Sequence, residues 1–198
     1  MILDFTSSAF SGAHGAASFY YAPAGLTITA LPAGAVLYQD PVVDGLGIQY
    51  SYENDEIEGP ETLHFQFNVP QLLHAILITD LFNEPYNDGS GYFLEEGRYS
   101  FDQSVWYPLI ADSSQTPQTW GFLDLIFASP PVITDIYFEA LGWQNWDDNF
   151  GCHGGWLEDH EYSVARLEVT AVPLPGAVWF LGSGLFSLMG LRRKLFKG

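Results

Sequence analysis

Glu61-Thr62-Leu63-His64-Phe65-Gln66-Phe67-Asn68-Val69 alternates without a break: Leu63, Phe65, Phe67 and Val69 fall on one side of an extended chain, Thr62, His64, Gln66 and Asn68 on the other. Successive side chains of a β-strand point to opposite faces, so this period of two specifies a strand with one dry and one wet face. That is the signature of an antiparallel sheet solvated on one side. Working outward, further strands are expected at Ser18–Ala22, Leu26–Leu31, Ala35–Gln39, Leu46–Tyr52, Ala75–Phe82, Arg98–Asp102, Thr119–Ala128, Val132–Ala140 and Tyr162–Ala171. Turn residues separate these runs at Asp44-Gly45, Glu58-Gly59-Pro60, Asn87-Asp88-Gly89-Ser90-Gly91 and Ser129-Pro130-Pro131. No run carries a long stripe at helical spacing. The reading is an all-β chain, an antiparallel two-sheet sandwich of jelly-roll type, followed by a short C-terminal apolar helix.

Composition agrees. Of 198 residues 47% are hydrophobic and 15% charged, which makes a globular body, and 15 Phe, 11 Tyr, 6 Trp, 20 Gly and 12 Pro suit strands joined by tight turns. With 24 acidic residues against 6 basic ones the net charge is -18, so a phosphate backbone is repelled and nucleic acid is excluded as a partner. Arg98 and Arg166 are the only cations before Arg192. The chain therefore divides into an acidic domain, residues 1–171, and a tail, residues 172–198. Met1–Thr6 has neither the basic nor the apolar region of a secretory signal, and Leu3–Phe5 reads as a first strand. Cys152, the one cysteine, excludes an intrachain disulfide and a multi-cysteine metal site. Its neighbour His153 does not make a nucleophile pair with it, since adjacent residues seldom face each other as nucleophile and base.

In the tail, the 19 residues Pro173–Leu191 carry no charge and would span about 28 Å as a helix, enough for a thin hydrocarbon core. Arg192, Arg193 and Lys194 follow as a cationic stop that leaves the carboxyl end in the cytoplasm and the acidic domain outside. Val172-Pro173-Leu174-Pro175, the apolar stretch and Arg192-Arg193-Lys194, in that order, resemble the PEP-CTERM sorting signal of Gram-negative bacteria in its VPLP variant. Leu174 stands where that family more often has glutamate, and Gly176 where the variant usually has alanine. The resemblance implies an exosortase as processing partner, single-pass membrane attachment before cleavage, and a final place at the cell surface or in an exopolysaccharide matrix. Asp44-Gly45-Leu46-Gly47-Ile48, followed by Asn54-Asp55-Glu56-Ile57-Glu58-Gly59, is also similar to bodies joined to such tails.

Within the body, Asn54, Asp55, Glu56 and Glu58, with Glu61, gather oxygen ligands of the kind calcium takes. Calcium is the one candidate cofactor, and a solvated acidic turn is the alternative, because the spacing is not that of an EF-hand loop. A weaker acidic group is Asn83, Glu84, Asn87 and Asp88. Trp143, Asn145, Trp146, Asp147, Asp148 and Trp156 form a candidate carbohydrate-binding loop, with indole faces for sugar C–H groups and polar side chains for hydroxyls. The alternative there is a loop that buries its own indoles. No catalytic residue stands out: nucleophile-elbow, zinc-helix and phosphate-loop motifs are all missing from the sequence. His153 and His160 read as surface histidines. The expected function is a non-enzymatic surface or matrix protein that binds polysaccharide. The rival is a secreted glycan-active enzyme using paired carboxylates between residues 143 and 161.

Overall fold

The computed structural model describes residues 1–42, 44–50, 56–59, 61–85, 92–113, 121–141 and 160–172. These residues form antiparallel β-structure with two short 3-10 turns, Ser8–Ala13 and Ala22–Ala24. The strands are β1 Ile2–Asp4, β2 Ser18–Tyr21, β3 Leu26–Leu31, β4 Val36–Asp40, β5 Gly45–Gln49, β6 Ile57–Glu58 and β7 Thr62–Thr79. They continue with β8 Asn83–Pro85, β9 Tyr92–Leu94, β10 Glu96–Ser100, β11 Trp106–Ile110, β12 Leu123–Ile126, β13 Val132–Ala140 and β14 Glu161–Ala171. All but β8 and β9, which pair with each other, belong to one 12-stranded hydrogen-bonded sheet.

β7 explains how so long a sheet closes on a core. Its first part, through Phe67, pairs with β3, while β13 pairs with Leu63–Gln66 and again with Gln71 and Leu72; from Gln71 onward it pairs with β14, and from Ala75 with β12 as well. One layer therefore runs β2-β3-β7-β13-β10-β11, and the other runs β12-β7-β14-β5-β4 with β1 and β6 also on β14. The inner faces meet: Phe65 of the first layer lies 5.2 Å from Phe5, which follows β1 in the second, and 5.7 Å from Phe138 of β13. Leu26, Ile28, Leu63, Phe65, Ile136 and Phe138 from one side and Leu3, Leu46, Ile48, Ile76, Val164 and Leu167 from the other are all buried in a single cluster.

The strands expected at Glu61–Val69 and Ala75–Phe82 are thus one strand. Pro70 has no N–H and marks a break in a sequence pattern, yet its carbonyl accepts from Val172 N at 3.0 Å and pairing resumes at once with β14. Alternation does lapse there: Asn68, Val69 and Pro70 are all exposed, so Val69, assigned to the dry side, is 48% accessible. β11 was not expected, because Pro108 sits at its middle. It lies at the end of the strand order, where one side of the strand has no ladder to make. Leu3–Phe5 begins with a true strand, since β1 pairs with Arg166–Glu168 of β14. Among the described residues no helix is long and apolar enough to cross a membrane. Residues 173–198, where a C-terminal helix was expected, lie outside the described residues.

Tyr162 locks the two layers near one end. Its ring is fully buried, and its hydroxyl lies 3.0 Å from Glu139 O and 3.3 Å from Arg98 O. Burial, with the Glu139 charge, pushes its phenol well above the ordinary range. Gly97 makes room for the ring, because a Cβ there would stand 2.3 Å from Tyr162 Cε1. Gly97→Ala should therefore cost about 1–3 kcal/mol by overpacking, read as a lower denaturant midpoint at unchanged m-value. An unchanged midpoint would mean that Tyr162 is free to move.

Candidate functional site

The wet side of β7 does not face solvent as isolated polar residues. Strand register sets them in rows across the outer face of the first layer. One row runs Ser18, Thr29, His64, Tyr137, Ser100, Trp106, each directly opposite the next on the neighbouring strand. A parallel row runs Tyr20, Thr27, Gln66, Asp135. On the other side, Glu139 is opposite Arg98 and Arg98 opposite Pro108, and Thr62 Oγ1 donates to Glu139 Oε1 at 3.1 Å.

Cross-strand side-chain bonds tie the rows together. The His64 and Tyr137 rings stack at 4.2 Å and 7°. His64 Nε2 is hydrogen-bonded to Asp135 Oδ1 at 2.9 Å, Gln66 Nε2 donates to the same oxygen at 3.2 Å, and Thr134 Oγ1 donates to Asp135 Oδ2 at 2.8 Å. Burial by itself would raise the Asp135 carboxyl, but these bonds and the His64 charge outweigh it and hold the group below the ordinary range. Burial, with the Asp135 charge adding to it, raises the Tyr137 phenol. Arg98 donates from Nε and Nη2 to Glu139 Oε2 at 3.0 and 2.7 Å, and its guanidinium carbon lies 4.4 Å from the centre of the Trp106 ring. Asn68 Nδ2 donates to the hydroxyl of Tyr20, a residue 53% exposed.

Between Tyr137 and Trp106 the row carries only Ser100, whose hydroxyl is taken up by the following turn. It donates to Val105 O at 2.7 Å and accepts from Gln103 N at 2.8 Å. Asp102 completes that turn, accepting from Ser104 N at 2.8 Å and Val105 N at 3.2 Å. The result is a platform of half-exposed rings set among oriented donors and acceptors, with its Arg98 guanidinium paired. It holds no nucleophile set against a base. Asp135 and Glu139 are four residues apart on β13, about 13 Å at ~3.3 Å per residue, beyond the ~5–9.5 Å that separates the two carboxyls of glycosidases.

Of the residues singled out in the sequence, Trp143, Asn145, Trp146, Asp147, Asp148 and Trp156 lie outside the described residues, as do Asn54, Asp55, Pro173, Leu174, Pro175, Arg192, Arg193 and Lys194. Val172 ends the last strand pairing through its bond to Pro70 O. Glu56 O accepts from Ile48 N of β5 at 3.1 Å, and Glu58 N donates to Glu61 Oε2 at 3.0 Å, so this part of the acidic turn is bonded to β5 and to Glu61. His160 is not a surface histidine: it is buried and its Nδ1 accepts from Glu96 N at 2.8 Å. Among the described residues no three His, Cys, Asp or Glu side chains are grouped to hold a metal ion. The sequence displayed the β7 side of the platform in its alternation, but Tyr137, Arg98 and Trp106 join it only through register.

No family model matches the chain, and no curated protein does. Among solved structures, wild-type discoidin II from Dictyostelium discoideum aligns at 9% identity with a TM-score of 0.31, over 89% of this chain and 55% of that one.

A second polar group sits where β7 ends. Asp80 is buried, with φ of 60°, and its carboxyl is raised from 3.8 to about 8. Burial is the largest cause, followed by the charge of Asp44 and a hydrogen bond shared with it, with Glu161 adding to the effect and Thr79 opposing it. The folded chain therefore holds more protons than the unfolded one between pH 3.8 and about 8, so this contribution is fully present in acid and is lost as pH rises through that window. Asp80→Asn should match the native protein near the acid end and exceed it in stability above pH 8. Parallel denaturant titrations across the range check this, and a constant difference between the two proteins would refute the assignment.

Proposed function

We propose that the protein is an exported surface or matrix component that binds a neutral polysaccharide through the outer face of its first layer. The carrying observation is the row Thr29, His64, Tyr137, Ser100, Trp106 with its flanking Gln66, Asp135 and Arg98. A pyranose has apolar C–H faces and a polar rim, and rings set beside oriented hydrogen-bonding groups match both. The charge favours a neutral chain. Arg98 is bound to Glu139 and Arg166 lies 3.6 Å from Glu168, while the body carries a large acidic excess, so polyanions meet repulsion. Trp143, Asn145, Trp146, Asp147, Asp148 and Trp156 would supply a further contact in this reading.

Export and sorting rest on the tail. Val172-Pro173-Leu174-Pro175 would be read by an exosortase while Pro173–Leu191 spans the membrane and Arg192, Arg193 and Lys194 stay cytoplasmic. Mass spectrometry of the protein recovered from its host is expected to find cleavage at the proline motif. A carboxyl terminus intact to Gly198 would overturn this half of the proposal.

For the binding half, electrophoresis through gels containing neutral polysaccharides should retard the native protein. Tyr137→Ala and Trp106→Ala should each weaken retardation by roughly 3- to 10-fold in Kd, the scale of one lost ring contact. Ile126→Ala, on an exposed side chain of β12 in the second layer, is the control expected to bind normally. Equal retardation of all variants would remove the face from consideration. Release of reducing ends from the polysaccharide would favour the enzyme instead.

A further inference from the structure

We infer that Asp44, Asp80 and Ser163 form a binding site for a hard divalent cation of the calcium class, at the end of β7 where the residues entering β5 lie against β14. The site is independent of the glycan-binding face. Two observations beyond the acidity of the group point to a ligand. Asp80 is only 7% exposed and its Oδ2 has no hydrogen-bond partner among the described residues. Ser163 is 1% exposed, and its Oγ likewise has none. A buried oxygen without a donor costs free energy unless something positive or proton-bearing reaches it.

Register and packing bring these oxygens to one place. Ser163 is directly opposite Thr79, so the two side chains share a face, and Thr79 Oγ1 donates to Asp44 O at 2.7 Å. Asp80 is the next residue, and the charge of Asp44 acts on its carboxyl. Gly45 allows this approach: its φ is 96°, and a Cβ on it would stand 2.5 Å from Val164 O and 2.7 Å from Ala165 Cα. Glu161 adds its negative field to Asp80. Two buried carboxylates that feel each other's charge repel, and a cation seated between them would neutralise both at once.

The donor set chooses the class. It is all oxygen, two carboxylates and a hydroxyl, with no imidazole or thiolate, which suits calcium and not zinc or copper. Two carboxylates are enough because calcium completes its six to eight ligands with water and carbonyl oxygens. The acidic turn at Asp55 and Glu56 is a separate place in the sequence and serves as the internal control.

The test is thermal unfolding of the full chain at neutral pH with CaCl2 added in millimolar amounts, against NaCl at equal ionic strength. A specific site should raise Tm by roughly 5–10 °C at a hundredfold excess over Kd, and NaCl should not. Asp80→Asn should abolish the calcium response. Ser163→Ala should leave Tm without calcium unchanged or slightly higher, since it removes an unsatisfied hydroxyl, and weaken calcium binding by about 10-fold. Asp55→Asn with Glu56→Gln should retain the response. The proposal fails if the two salts act equally on the native protein, if Asp80→Asn keeps the response, or if the Asp55 and Glu56 double variant loses it.

Discussion

One strand belongs to both layers, and the rest of the molecule is arranged around that fact. β7 runs for 18 residues and changes partners along its length: β14 takes over from β3 across Pro70, and β12 takes over from β13 between Leu72 and Ala75. A strand buried on one face can serve two layers only if it bends, so that each half presents its apolar side to the same core. The exposed stretch Asn68–Pro70 is that bend, and the register irregularity in β13, between Ile133 and Asp135, falls beside it. Phe65, one half-strand before the bend, meets Phe5 from the opposite layer, whereas Ile76 and Ile78, beyond it, reach the same cluster from the other side.

With its inner faces committed to the core, each layer has only its outer surface and its ends for chemistry. On the first layer that surface is polar yet far from featureless, because register stacks rings and hydrogen-bonding groups of six strands into rows. Local charge balance matters there. The Arg98–Glu139 pair and the His64–Asp135 contact spread over one face what would otherwise be unshielded carboxylates in a strongly acidic chain. Because the guanidinium is held both by Glu139 and against Trp106, it orients the indole and does not act as a free cation.

At the end of β7 the same constraint has the opposite effect. Gly45 lies so close to β14 that Asp44 and Asp80 are pressed together despite like charge, and burial removes the water that would separate them. Tight backbone approach recurs at Gly97 under Tyr162 and at Gly121 beside Leu81, each at a point where strands from different parts of the chain meet. The polar groups of greatest electrostatic consequence thus lie where glycine lets the backbone close up, and the adaptable ones lie on the open sheet.

The sequence by itself determined that the chain is antiparallel β and that Leu63, Phe65 and Phe67 lie on the dry face of their strand. Both follow from side-chain period, which is local. Alternation at Leu63–Phe67 and the strands Val132–Ala140 and Tyr162–Ala171 were legible because each strand buries its own side. The fusion of two expected strands through Pro70, the edge strand with Pro108 and the burial of His160 were not legible, since each depends on what lies opposite in space. Tertiary structure alone decided that Tyr137 stacks on His64, that Arg98 reaches Trp106, and that Thr79 bonds Asp44 and brings its charge to bear on Asp80. Register is a property of pairs of strands, and a side chain's chemical neighbours on a sheet come from strands remote in sequence, so no local pattern can specify them.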